Sequence, residues 1–561
     1  METILYLGAA ALIVLLFAYQ AYQSNKINKR RLKRMIEENW GNRPGREYSY
    51  EEFENLTHFY QQRKDGSWSI DDITWNDLDM DSIFMLLNNT YSSVGEEYLY
   101  DLLRRPSSDK EVLAERNRLA DYFLSNTDQA KTLEECFAYL GRAKKISFYE
   151  YFMRLVEMGP RNSSRHYMAL ACLFASIGIV IVQPALGIIA VIAMLVYNIT
   201  GYYRMKAEVE NYFICVKFIV RMIQAAQRVT KLNIKELEDY NQILKKDIEE
   251  LKPLCKGVFM ITSNQMSGNI QDIMLDYVRM ITHMDLLKFN SMLGLVIKKI
   301  DVVTQMYETL GKIESGIAIA SFREYCNQYG NGFCRPEFDR TKGIRIADVY
   351  HPLISEPVLN SIDVRRSVLL TGSNASGKST FLKTVAISAV LAETIDTCTA
   401  SSYQAPFYHI YSSMALRDDL QSKESYFIVE IKSLKRIVDS VSEGEQVLCF
   451  VDEVLRGTNT VERIAASSRI LKTLNVKGAE CFAATHDVEL THILENDYEN
   501  YHFQEKVEED DVIFDYKLYQ GRATSRNAIK LLGVMGYDKS IIKDAEAAAN
   551  EFLTKGSWDH I

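Results

Sequence analysis

Two short runs in the last third of the chain hold residue types that do phosphate chemistry together. The first, Gly372-Ser373-Asn374-Ala375-Ser376-Gly377-Lys378-Ser379-Thr380, fits G-x4-G-K-[ST]. Small residues let backbone N–H groups curl around phosphate oxygens, and a following helix N-terminus favours their negative charge. Lys378 would reach the β/γ oxygens and Ser379 would hold magnesium. The second run, Val447 to Glu453, is an apolar stretch ending in two carboxylates. Asp452 would bind the magnesium, directly or through water, and Glu453 would polarise the attacking water. Together these groups imply ATP and Mg2+ as cofactors and an ATP-type hydrolase or switch.

The elements needed to position these groups are legible nearby. Apolar Val368 to Leu370 precedes the glycine loop and a helical run, Phe381 to Leu391, follows it, the context a phosphate loop requires. From Lys342 the chain turns to β-branched runs, GIRIADVYH and SIDVRRSVLL, broken by Pro352 and Pro357, which read as strands. An α/β domain is therefore expected over 341–561.

Four strings, TGSNASGKST, DDLQSKESYFIVE, VDEVLRGTNT and FAATHDVELT, together resemble the MutS mismatch-repair ATPases of the ABC class. The resemblance implies a homodimer with composite ATP sites. Residues 372–380 would hold the nucleotide, with Asn374 matching the nucleotide-loop Asn. Ser425, Phe427 and Glu430 match a signature segment, and Ser425 would approach the ATP of the opposite subunit. Arg456, Gly457, Thr458 and Thr460 resemble a relay turn, and His486 a switch histidine that senses the γ-phosphate, joining Glu453 and Lys378 in the catalytic set. Leu455, Asn459, Tyr426 and Lys423-Glu424 depart from the usual strings, which bears on hydrolysis rate and on the contact between subunits. Ile73 to Pro106 resembles the start of the family's helical core, and the later helices would be lever and clamp arms. The resemblance also implies DNA. A mismatch-reading domain is not expected, because no matching string precedes residue 48.

The remainder is helical and partly membrane-like. Ile4 to Ala18 is apolar and is followed by Lys26, Lys29, Arg30, Arg31, Lys33 and Arg34. A signal peptide carries its charge before the apolar run, so a retained anchor with its C-terminal side in the cytoplasm is the expectation. Tyr167 to Tyr203 contains no Asp, Glu, Lys or Arg and has Gln183-Pro184 near its middle. That length is about two crossings, with the proline breaking it into a hairpin. Arg161, Arg165, Arg204 and Lys206 flank it, as expected if both ends return to the cytoplasm. The competing reading is a hairpin buried in a soluble core.

The expected organisation is a transmembrane helix (1–23), a basic juxtamembrane segment (24–47), a helical core (48–160), a transmembrane hairpin (161–204), a helical lever region (205–340) and the P-loop domain with a C-terminal helical dimerisation segment (341–561). The fold class is mixed: an all-α region with transmembrane helices plus a C-terminal α/β P-loop NTPase domain. A multi-pass protein of about three crossings in a prokaryotic-type plasma membrane, with cytoplasmic catalytic domains, follows.

Composition limits what the machine acts on. The chain has 561 residues, 25% of them charged, and a net charge of -9, so charge gives no support for nonspecific nucleic-acid coating. Nine cysteines lie scattered without a CxxC pair, which argues against disulfides or a zinc site. The leading reading is a membrane-anchored ATPase dimer that binds DNA. The alternative is an ATP-driven clamp or scaffold acting on an unknown protein or envelope partner, and a transporter is the weaker third idea.

Overall fold

The computed structural model describes residues 2–63, 66–143, 147–257, 277–373, 376–414, 426–441, 445–507, 512–523, 529, 532, 536 and 537–556. The chain divides into two units: Met1–Asp65, Asn88–Asp101 and Leu119–Ser321 form the first, and Gly66–Leu87, Leu102–Arg118 and Phe322–Ile561 the second.

Among its described residues the first unit is helical. Its core is aromatic: the Phe59 ring lies 4.8 Å from Tyr149 and 5.0 Å from Tyr307, and Phe148 lies 4.6 Å from Phe218. Burying such large rings supplies much of the apolar driving force. The core also encloses carboxyls. Glu314 Oε1 accepts from the backbone N–H groups of Tyr91 (2.6 Å) and Ser92 (3.0 Å), and Tyr307 OH donates to Glu97 Oε2 at 2.8 Å. Gly95 faces Glu314 so closely that a Cβ there would stand 2.3 Å from its carboxyl carbon.

The N-terminal apolar run and the basic residues after it lie in one helix, Glu2–Asn39. Helices Ser164–Val182 and Pro184–Lys231 form the hairpin, with Gln183 as the non-helical link and Pro184 in the first turn of the second. Both are long and apolar enough to cross a membrane, and only 17% of each apolar window is buried. Ile181 and Val182 are 85% and 80% exposed. Gly187 permits the close approach of the two arms, because a Cβ there would lie 2.3 Å from the Val180 backbone nitrogen. The second arm runs past Tyr203 to Lys231, and its later turns bury Phe213, Val216, Ile219, Met222 and Ile223 in the unit's core. Within the helical lever region His283 adopts φ 54° immediately before helix Met284–Lys298, and Ile300–Tyr329 follows.

The second unit carries two sheets. Strands β1 (Pro336–Glu337), β2 (Ile344–Val349), β3 (Asn360–Val364) and β5 (Ser402–Gln404) form the smaller, in the order β1-β5-β2-β3. The larger contains β4 (Ser367–Thr371), β6 (His409–Ser413), β7 (Val447–Asp452), β8 (Glu480–Ala484), β9 (Tyr498–Val507) and β10 (Val512–Gln520), in the order β10-β9-β4-β8-β7-β6. Its five strands from β6 to β9 are parallel and β10 is an antiparallel edge. The central strands β4 and β8 are buried at every position, which explains their continuous apolar character.

Residues 66–87 and 102–118 pack in this unit. Asp77 Oδ2 accepts from Ser412 Oγ (2.7 Å) and from the Met414 amide (2.9 Å), and the Trp68 ring stacks on His409 at 4.6 Å. The C-terminal helical segment is represented by Lys539–Lys555.

Candidate functional site

In an open parallel sheet, the crevice beyond the carboxyl ends of the strands is the natural ligand site. The glycine run and the paired carboxylates meet there. β4 and β7 flank β8, and the register sets Leu370 opposite Ala484 and Asp452 opposite Ala484.

The loop after β4 needs unusual backbone. Gly372 has φ 148°, and a Cβ there would stand 2.8 Å from the Phe503 carbonyl oxygen. Gly377, at φ 103°, opens helix Lys378–Ile395, whose N-terminal dipole faces the loop. Lys378 Nζ donates to the carbonyls of Gly372 (2.8 Å) and Ser373 (2.7 Å). Burial pushes its ammonium below the ordinary lysine range, opposed by Asp452, Glu453 and Glu505. Ser373 Oγ donates to Glu505 Oε2 at 2.8 Å, and Ser379 and Thr380 are exposed in the first helical turn. Asn374 and Ala375 lie outside the described residues.

Ser379 Oγ donates to Asp452 Oδ2. The other oxygen, Asp452 Oδ1, is buried and accepts no hydrogen bond, as is the Ser376 hydroxyl within the loop. Burial raises the Asp452 carboxyl above the usual range, with the neighbouring Glu453 charge adding to the effect. A hydroxyl–carboxylate pair whose spare oxygen is buried has the chemistry to hold a hard divalent cation, which would offset that burial.

Glu453 leaves β7 in a left-handed conformation at φ 54°, and Leu455 follows at 58°. Such backbone costs about 1–3 kcal/mol per residue and persists where surrounding contacts fix it. Here the Glu453 amide donates to Ala484 O (3.0 Å), Oε1 lies 2.9 Å from His486 Nε2, and Oε2 lies 2.9 Å from Arg456 Nε. His486 is positioned in turn by Thr485, whose amide donates to Leu370 O at 2.9 Å. Arg463 makes a two-pronged pair with Asp487 at 2.8 and 2.6 Å, holding the far side of the same turn.

Phe427 and Glu430 fold onto the turn after the carboxylates. Phe427 packs against Gly457, where a Cβ would meet its ring at 3.3 Å, and Glu430 Oε1 accepts from the Arg456 amide at 3.2 Å. Asn459 caps helix Thr460–Lys477, accepting from the amides of Val461 and Glu462. Ser425, offered as the residue reaching the partner subunit, lies outside the described residues, as do Lys423 and Glu424.

The loop also borders a cleft of about 500 Å³. Ser376 to Phe381 and Glu453 form one side, while Ile354, Pro357, Val358 and Tyr516 give it an apolar and aromatic wall. His351 also lines it. Burial, then the Lys383 charge, pushes that imidazole down to about 4, so it is neutral at physiological pH. None of these wall residues was singled out by type or spacing. The available signal was the pair of prolines, Pro352 and Pro357, in a segment too short and irregular for a strand.

The MutS domain V profile matches residues 368–553. The chain is similar to the DNA mismatch repair protein MutS of Pseudothermotoga lettingae, 28% identical over 274 residues, 46% of this chain and 33% of the relative. It is similar to those of Lactobacillus acidophilus, 30% identical over 40% of this chain and 28% of the relative, and Thermus thermophilus, 29% over 39% and 27%. The chain thus spans a third or less of the length of these curated relatives. Loop, paired carboxylates, the turn after them and the histidine all fall inside the matched segment, so residues 368–553 carry a MutS domain V.

Proposed function

We propose that the C-terminal unit is a magnesium-dependent ATPase working as a homodimer, tethered to a membrane by its hairpin and N-terminal helix. The observation that carries the reading is the meeting of Lys378, Ser379, Asp452, Glu453 and His486 at the carboxyl ends of β4, β7 and β8. The loop amides and Lys378 receive phosphate oxygens, exchanging the contacts that Lys378 makes with Gly372 and Ser373. The apolar wall of Ile354, Pro357 and Val358, with Tyr516, suits a purine ring. Ser379 and Asp452 would hold magnesium, which would supply positive charge to offset the negative charge developing on the phosphate oxygens. Glu453 takes the proton of the attacking water, and His486 and Arg456 fix the carboxylate that does so. Ser425 closes the partner's site.

The names of the relatives make DNA the first ligand to test. The net charge of -9 favours a second reading, in which the same engine moves a protein or envelope partner. A binding titration at several stated salt concentrations, using matched, mismatched and branched duplexes with ATPase rate recorded alongside, separates the two. Absence of both binding and stimulation at low salt removes DNA.

The membrane reading is supported by the exposed apolar faces of both hairpin helices. With the N-terminal helix it gives three crossings and cytoplasmic catalytic residues. Carbonate extraction should leave the chain in the pellet, and protease added to the cytoplasmic face should cut both units.

A further inference from the structure

The cytoplasmic end of the hairpin contains a second cleft, of about 690 Å³, within the helical unit. Its chemistry changes along one direction. On the long helix Tyr197, Gly201 and Arg204 recur at helical spacing and share a face, and on the first arm Arg165 and Ala169 do the same. Each face therefore passes within about two turns from a guanidinium to apolar surface that continues along the exposed hairpin. Arg161 stands at the charged end, and Glu208, 3.5 Å from it, is the one carboxylate lining the cleft among the described residues.

The floor is built and buried. His166 and His283 are 6% and 3% exposed, and their Nδ1 atoms lie 2.9 Å apart. His283 Nε2 lies 2.9 Å from the Asn198 carbonyl, which fixes its ring. Asn290 crosses to Ser163 at 3.2 Å, tying helix Met284–Lys298 to the mouth.

We infer that this cleft binds the phosphate of an anionic membrane phospholipid, Arg165 and Arg204 receiving the phosphate while the acyl chains follow the apolar faces beyond Ala169 and Tyr197. The inference rests on the membrane reading above. A freely diffusing phosphate would use the arginines but not the apolar continuation, and neighbouring charge alone would require no cleft with a buried polar floor. Guanidinium groups match phosphate oxygens two at a time, and each basic group near a bilayer surface adds to the attraction for anionic lipid.

The test uses the full chain in nanodiscs of phosphatidylcholine with a minor fraction of phosphatidylglycerol, retained lipid being read by native mass spectrometry after gentle release. The wild type should retain phosphatidylglycerol over phosphatidylcholine, and Arg165→Gln combined with Arg204→Gln should reduce that preference about thirtyfold. Excess inorganic phosphate should not displace the lipid. Displacement by phosphate would reassign the cleft to small anions, and equal retention by the variant would reduce the arginines to topology signals. Absence of any lipid preference in the wild type overturns the inference without recourse to a variant. In each of these failures the chain stays in the carbonate pellet; its release by carbonate would instead remove the membrane reading itself, and the lipid site with it.

Discussion

Glu453→Gln separates chemistry from binding. The substitution keeps shape and removes only the charge and proton affinity of one oxygen. Three contacts bear on its cost. The backbone N–H still reaches Ala484 O at 3.0 Å, and φ 54° is as costly for Gln as for Glu. The Gln oxygen still accepts from Arg456, which is 63% exposed, so the lost charge there is worth at most about 1 kcal/mol. The amide then faces His486 Nε2, which can accept from it in the appropriate tautomer. Folding and ATP affinity should therefore hold, while the loss of a positioned base lowers turnover by about 10²–10⁴, a barrier increase of about 3–5 kcal/mol. Single-turnover release of labelled phosphate measures the step, fluorescent-nucleotide binding measures affinity, and sedimentation with ATP should show more dimer because nucleotide persists. Turnover within about threefold of wild type, at unchanged affinity, would refute the assignment of Glu453 and shift the base to another group.

Lys378→Ala should abolish nucleotide binding in the same fluorescence assay, since the loop loses its only buried cation among the described residues; retained affinity counts against the site itself. Burial raises the Glu314 carboxyl to about 7, so the folded chain keeps a proton that the unfolded chain releases above its ordinary value. Its contribution to stability is complete below about 4.5 and is lost as pH rises to about 7, on the order of 3 kcal/mol. Glu314→Gln should flatten the fall in melting temperature across that window, and an identical slope in both proteins would show that another group titrates. Gly187→Leu should force the hairpin arms apart at Val180 and lower the yield of chain surviving detergent extraction, measured by gel filtration; a wild-type elution profile and yield would show that the close approach is dispensable.

Local signals were sufficient where one element carries the whole pattern. The apolar run into Gly372 is β4, Val447 to Asp452 is β7, and Pro184 marks the hairpin link. Positions set by distant packing were not legible. Thr74 and Asp77 read as part of a helical core, yet their polar atoms bind Ser412 on β6, because periodicity reveals a helix but not which core receives it. β9 contains an alternation, with Tyr501, Phe503 and Glu505 inward, that the charged Glu505 on the inward face disguises, and this strand brings Glu505 and Phe503 to the glycine loop. Tyr516 reaches the cleft through a register shift between Phe514 and Leu518, where φ of 53° has no sequence marker in a tyrosine.

The helix Pro184–Lys231 gives the helical unit a mechanical property. Its 48 residues form one rod about 72 Å long without an internal proline, clamped by its later turns and free along its apolar half. A rod held along one half converts rotation into travel: the free half is about 36 Å long, so a tilt of about 10° at the clamp moves the far tip by about 6 Å. Bending it instead would break backbone hydrogen bonds, so torque applied to the clamped half is delivered at the free end as displacement or twist.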